Sequence, residues 1–445
     1  MRQVSAAYRG YVLALLLIIY VFNSVDRQII TILAEPIKQD LGLADWQIGI
    51  MTGLAFALFY TVLSIPIAHL ADRYDRGRII SICLAIWSLF TALCALSQNF
   101  LHLVLLRIGV GVGEAGCSPA ALSLINDYVP KEKRPFALSI YAMGAPLGVV
   151  IGLAIGGLVA QHWGWRAVLV LAGAPGVILA VITLLTLREI RPKGGPIAVA
   201  AERETLRETL TQLKSRPTFW LVSVAAGGNT FVFSAVQTFG APFFLRNHAD
   251  GIDILAARLE RILGITVEPI GFLGIALGLA VGVFGAAGML LGGAASAYGG
   301  RKDERGTLTA PALAVLLSVP LWLTAFMTGN PALALLLWAI GSALGLLPVG
   351  PTYSAVQSVA PPQSRAMAAA ISLLIMNLIG AGLGPLFVGV ASDVINRAGF
   401  GPALGLRYAL ISTCLLIPII AALYWIARRY IIADSMRGAG VTRAL

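Results

Sequence analysis

Charge is scarce in this chain. Asp, Glu, Lys and Arg together make up 12% of its 445 residues, against about a quarter in soluble globular domains, so an ordinary water-soluble globule is excluded. Cysteine is scarcer still. Cys83, Cys94, Cys117 and Cys414 each fall inside apolar segments without metal-ligand spacing, so neither a disulfide nor a metal is expected, and buried packing is their simplest role. No nucleophile with a base, no ligand cluster and no phosphate-cradling glycine loop stands in a supporting context, so the sequence does not read as an enzyme and implies no cofactor.

What the chain has in abundance is apolar length. Hydrophobic residues make up 58% of it and the mean hydropathy is +0.85. Apolar segments of about 20 or more residues, enough for a helix to cross a bilayer, recur at 10–35, 46–71, 79–98, 101–126, 135–160, 165–187, 217–245, 271–298, 307–328, 331–359, 366–392 and 404–427. The expected fold is therefore an all-α membrane protein with twelve transmembrane helices. The first segment is too long for a signal peptide and lacks a convincing cleavage site, so it reads as a retained helix.

Lys and Arg set the orientation. With both termini cytoplasmic, inner loops and tails carry 23 of the 32, among them Arg73, Arg76, Arg78, Lys131, Lys133 and Arg134, while the outer side carries 7. The net charge of +11 is thus mostly a topology signal. Nucleic acid is not an expected partner, because these charges lie in separated short loops. Trp163, Trp165 and Trp425 near span ends read as interfacial anchors.

The organisation is six plus six: residues 1–187, a cytoplasmic linker 188–216, and residues 217–445. In the linker, Leu206, Leu210 and Leu213 recur at helical spacing, which suits an amphipathic helix at the membrane interface or a solvated linker helix. The outer connection between spans 7 and 8 places Ile254, Leu255, Leu259, Ile262 and Leu263 as an apolar stripe that would rest on the outer leaflet. The halves are weakly alike: AHLADRYDRGR after span 2 corresponds to GGAASAYGGRK after span 8, and MGAPLGVVIG to IGAGLGPLFVG. Paired repeats of this kind are typical of secondary transporters, whose substrate site lies between the halves.

Against this background Asp26 and Arg27 stand out, inside an otherwise uncharged run from Tyr11 to Ala34. Ionisable groups at such depth cost at least ~2.5–3.5 kcal/mol each and are seldom kept without a use. A rise of ~1.5 Å per residue puts Asp26 of span 1 and Arg107 of span 4 at one level, about 8–9 Å below the outer edge of the hydrocarbon. Glu114 follows Arg107 by seven residues, hence lies on nearly the same helix face. Asp26 and Arg27 diverge by about 100°, so only one of them faces a cavity. A four-member cluster is expected, with Asp26 near Arg107 and Arg27 able to reach Glu114. Spans 7 to 11 hold no deep ionisable residue, only neutral polar ones such as Asn229, Thr230, Gln237, Tyr353 and Asn377, each a candidate for lining the cavity or for interhelical bonding. A cavity charged on one wall and largely apolar on the other suits an amphiphile with an anionic head. His69 beside the inner loop is expected to pack.

The chain resembles the major facilitator superfamily over nearly its whole length. The residues that carry this are Ala68-x-x-x-Asp72-Arg73-x-Asp75-Arg76 in the inner loop after span 2, Arg107-x-x-x-Gly111-x-Gly113 in span 4, and Gly144-x-Pro146-x-Gly148-x-x-x-Gly152 in span 5. A narrower likeness is to the spinster family, on Asn23-Ser24-Val25-Asp26-Arg27, on Leu70 to Arg76, and on Arg107 to Ala115 with its glutamate directly after the glycines. That resemblance implies two six-helix bundles and alternating access. It further implies proton coupling with Asp26 and Glu114 as titrating groups, Arg27 and Arg107 as their charge partners or as contacts of a substrate head group, and a lysolipid or sphingolipid-like substrate. Asp72, Arg73 and Arg76 would serve an inner gate, Asp72 by capping the amino end of helix 11 near Ser364-Arg365. Ala297 stands where the second half would repeat that aspartate. A symporter of a small organic or sugar acid is the alternative, and a non-transporting receptor or scaffold a third reading. A monomer in a bacterial inner membrane, in contact with membrane lipids, is the expected setting.

Overall fold

The computed structural model describes residues 5–190 and 206–438, without the side chains of Ile65, Ala68, Asp72, Leu206 and Lys302. Among the described residues there is no strand. Ten continuous stretches among the described residues are long and apolar enough to cross a membrane. Two of them fold back on themselves, which gives twelve crossings, numbered here α1 to α12. They are α1 (Ala6–Ile32), α2 (Asp45–Ala71), α3 (Arg76–Cys94), α4 (Phe100–Tyr128), α5 and α6 within Lys131–Thr186, α7 (Pro217–Thr238), α8 (Pro269–Arg301), α9 (Glu304–Met327), α10 (Pro331–Val359), and α11 and α12 within Arg365–Ala427. The reversal between α5 and α6 turns on Gly164 (φ 73°), and that between α11 and α12 on Gly399 (φ 97°) and Gly401 (φ 80°). Only glycine takes these left-handed angles without strain, so a turn of so few residues needs it.

Short polar caps begin several crossings where the sequence leaves the apolar run. Ser5 accepts from the Tyr8 N–H at 3.2 Å, Asn99 from His102 at 2.9 Å and Asn330 from Ala332 at 3.0 Å, each satisfying a donor the helix start leaves open. Inside the membrane, small residues bring backbones together. A Cβ on Gly148 of α5 would lie 2.4 Å from Ser24 Cβ and 2.7 Å from the Val21 carbonyl of α1. Gly148→Ala is therefore expected to cost about 1–3 kcal/mol by overpacking, read as a lower melting temperature of the detergent-solubilised protein, while Gly10→Ala, with nothing within 4 Å, leaves it unchanged.

The two halves meet along α2 with α11 and along α5 with α8. Glycine makes this possible too: a Cβ on Gly49 would stand 2.4 Å from the Pro385 carbonyl, on Gly157 2.5 Å from that of Ile270, and on Gly274 2.3 Å from that of Leu153. The series runs inward as far as Gly282 against Val150 and Pro146; beyond it Gly285 and Gly288 pack on Leu346 and Ala343 of their own half. The outer side is thus closed and the molecule faces inward. Irregular wide turns interrupt three of the four interface helices, at Ile50–Leu54, Leu279–Phe284 and Met376–Gly382, the kind of local irregularity that often marks functional segments.

Two amphipathic segments differ from the sequence reading. In the linker helix Leu206–Lys214, Thr209 and Leu213 are fully buried while Leu210 is exposed, and Gln212 accepts from Ser364 at 3.1 Å. The stripe is divided because this helix docks on the carboxy-terminal half, where protein takes the place of lipid. The rest of the linker, 191–205, lies outside the described residues. In the outer helix Ala249–Leu263, Ile252 and Ala256 are buried, Leu255 and Leu259 partly so, and Ile254, Ile262 and Leu263 exposed. Trp165 is a correction as well. It is buried and donates to Asp40 at 3.2 Å, whereas Trp163 and Trp425 are exposed.

Candidate functional site

The intramembrane charges of α1 and α4 come together beside α2 and α3. Arg27 Nε donates to Glu114 Oε2 at 2.6 Å, with the arginine side chain 34% exposed and the glutamate 0%. The guanidinium carbon stands 4.5 Å from the Tyr60 ring centre and 4.9 Å from that of Phe56, so two rings of α2 hold the cation over their faces. Arg107 lies over the same Phe56 ring at 5.4 Å. Asp26 turns the other way, into the protein, where Thr91 Oγ1 of α3 donates to its Oδ2 at 3.2 Å. The 100° between neighbours on a helix thus gives Arg27 to the cleft and Asp26 to the packing between helices.

Asp26 lies near Arg107, within its electrostatic reach, as the sequence reading expected, but forms no direct ion pair with it. Asp26 Oδ1, Arg107 Nε, Glu114 Oε1 and Asn23 Nδ2 are buried without a hydrogen-bond partner among the described residues. Buried polar atoms rarely remain so. These unpaired atoms converge on one small region between α1 and α4. Phe56, Tyr60 and Thr91 escaped the sequence reading because aromatic and hydroxyl residues in an apolar run carry no signal of their own.

The inner-loop residues are placed apart from this cluster. Arg76 is fully buried and binds Asp127 of α4 and Glu189 beyond α6, and it donates to Ser123 at 3.0 Å. Its partners belong to the amino-terminal half and to the first residues of the linker. Asp75 caps α3 by accepting from the Arg78 N–H at 3.0 Å, Arg73 is exposed, and the Asp72 side chain lies outside the described residues.

On the carboxy-terminal side, Asn229 donates to the Gly345 carbonyl at 2.7 Å, Thr230 to Ala226 at 2.9 Å and Gln237 to Ser342 at 3.5 Å. Asn229 and Thr230 nevertheless border a cavity of about 180 Å³, whose other walls are Phe233, Leu346, Val349, Thr352, Met376 and Tyr424 among others. It is lined almost wholly by apolar groups. Tyr353 comes within electrostatic reach of Tyr20 and Tyr60 of the other half, and Asn377 lies in the wide turn of α11. The structure therefore gathers Asn229 and Thr230 at one cavity and leaves Gln237, Tyr353 and Asn377 outside its walls.

A second charge cluster, not visible in the sequence, spans the halves at the outer end. Arg246 of the short helix Gly240–Asn247 binds Glu35 through Nε and Asp45 through Nη1, both at 2.9 Å. Asp45 also accepts from Ser392 at 2.6 Å and pairs with Lys38, and Asp393 accepts the backbone N–H groups of Asp45 and Trp46. Burial pulls the Arg246 pKa down, but the hydrogen bonds it donates to Asp45 and Glu35 outweigh this and raise it, so this cation stays charged. Glu35 and Arg246 are 211 residues apart, and no local spacing connects them.

Comparison with known proteins agrees with this geometry. The model described as Major Facilitator Superfamily matches residues 16–385. An MFS-type efflux pump of Mycolicibacterium smegmatis is 31% identical over 421 residues, covering 93% of this chain and 92% of its own. The chain belongs to the major facilitator superfamily of membrane transporters. Within it the chain is spinster-like: the crystal structure of a bacterial homologue of the human lysosomal transporter spinster, inward-facing and unoccupied, superposes with a TM-score of 0.83 at 32% identity, over 97% of this chain and 99% of the other. A hexuronate transporter of Bacillus subtilis is 28% identical over 260 residues, 58% of this chain and 60% of its own.

Proposed function

We propose that the protein is a proton-coupled secondary transporter of amphiphilic anionic lipids, lysophospholipid or sphingolipid-like, working by alternating access in a bacterial inner membrane. The observation that carries this reading is the contrast between the walls. One presents the partly exposed Arg27 cation, held by buried Glu114 and two rings. The other holds an apolar cavity edged by Asn229 and Thr230. A head group with negative charge has its partner on the first, and an acyl chain has its surroundings on the second.

Coupling follows from competition. An anionic head group that takes Arg27 from Glu114 leaves a buried carboxylate without its cation, and a carboxylate in that position binds a proton more readily. Arginine stays charged throughout. Proton and lipid would then occupy the cluster in linked steps, with the driving ion the proton and no cofactor involved. Asp72, Arg73 and Arg76 retain the proposed part in inner gating, Arg76 by fixing the ends of α3 and α4 around which Asp72 and Arg73 lie.

The partial likeness to a hexuronate transporter favours the alternative, symport of a small organic or sugar acid through the same arginine. Reconstitution with an imposed pH gradient and a panel of labelled lysolipids and organic acids separates them. Flux of lysolipids and not of small acids is expected. Flux of small acids alone overturns the lipid reading, and absence of any pH-driven flux would leave a receptor or scaffold.

A further inference from the structure

The outer helix Ala249–Leu263 has three distinct faces. Ile252 and Ala256, with Leu255 and Leu259, form the face that packs on the protein. At about 100° per residue, Ile254, Arg258, Arg261 and Ile262 fall together on one flank with Asp250 at its amino-terminal edge, and Asp253 and Glu260 fall on the opposite one. Ile254 is 57% exposed and Ile262 79% exposed, and Arg258 and Arg261 are exposed too. Among the described residues neither arginine meets a carboxylate. Apolar and basic side chains thus share one flank from Ile254 to Ile262, beyond the contact of Gly251 with Pro331, while Asp253 and Glu260 lie away from it.

This flank is continuous with the lipid-facing band of the protein. The helix sits against the start of α10, where a Cβ on Gly251 would lie 2.5 Å from Pro331. Along α10 the side chains of Leu333, Leu336 and Ile340 point out of the protein, and Ile265, just past the helix end, is 51% exposed. An amphipathic helix with cations among its apolar residues is the arrangement that lies in the headgroup layer of an anionic membrane.

We infer that the Ile254, Arg258, Arg261 and Ile262 flank rests in the outer headgroup layer and binds the phosphates of acidic phospholipids, with Asp253 turned to water. The helix follows directly on Arg246, so its seat on the membrane also anchors the element that closes the outer side. This inference is independent of the transported substrate.

Spin labels at single cysteines test it, since the native cysteines are buried. In nanodiscs containing phosphatidylglycerol, labels at Ile254→Cys and Ile262→Cys are expected to collide with dissolved oxygen several-fold more, relative to a water-soluble nickel chelate, than labels at Asp253→Cys and Ala257→Cys. Equal, water-like accessibility at all four overturns the placement. The Arg258→Gln/Arg261→Gln pair, exposed and therefore harmless to folding, is expected to reduce the oxygen preference at Ile262→Cys, as is replacing phosphatidylglycerol by phosphatidylcholine. A preference unchanged by both overturns the recognition of acidic headgroups.

Discussion

Glu114→Gln is expected to lower pH-driven transport in proteoliposomes tenfold or more, and Asp26→Asn to do the same, with both proteins still folded. The amide keeps the shape of the side chain, so packing is preserved while the exchangeable charge is lost. Glu114→Gln removes the anion that holds Arg27 at 2.6 Å, and an energetic change of only about 1.4 kcal/mol in one protonation step already gives a factor of ten. Asp26→Asn keeps the contact with Thr91 but can no longer carry a proton. The informative companion is exchange of labelled substrate without a pH gradient. Exchange that survives in Asp26→Asn while gradient-driven accumulation disappears assigns the residue to coupling. Retained gradient-driven flux in both variants would rule out their titrating role.

Arg246→Ala is expected to move the population away from the inward-facing state. Removing one member of a buried charge network costs about 3–5 kcal/mol, because the remaining charges are left buried and uncompensated. Glu35 and Asp45 come from one half and Arg246 from the other, so the loss falls on the state in which the outer side is closed. A change of ~5.5 kcal/mol is enough to invert a two-state population from 1:99 to 99:1. A cysteine at Leu153, buried in the outer contact between α5 and α8, reads this out: in Arg246→Ala its labelling by a membrane-impermeant maleimide added outside should rise severalfold. Arg246→Lys, which keeps the charge but not the two-pronged geometry, should fall between. Unchanged labelling in Arg246→Ala would show that the glycine contacts alone hold the outer side shut.

Much of the fold was legible because membrane insertion is a local rule. Each crossing must satisfy its own backbone and present about 20 apolar residues, so twelve helices can be read without knowing how they touch. The rarity of intramembrane charge pointed in the same way to Asp26, Arg27, Arg107 and Glu114. What it did not reveal is who meets whom. Asp26 and Arg107 share a level yet do not pair, since Asp26 turns to Thr91 and Arg107 to Phe56. The linker leucines carry the periodicity of a membrane-surface helix, yet Leu213 is buried against protein, because periodicity states only that one face avoids water.

The sequence by itself determined the number of crossings, their orientation through the inner surplus of Lys and Arg, and the charged residues on which transport would turn, because each depends on the cost of placing one segment in lipid. Only the tertiary structure decided the outer lock of Glu35, Asp45 and Arg246, the two rings that hold Arg27, and the closing of the outer side through backbone contacts at glycine. Those depend on contacts between segments up to hundreds of residues apart, and side-chain direction and helix approach, which set them, are properties of the packed bundle.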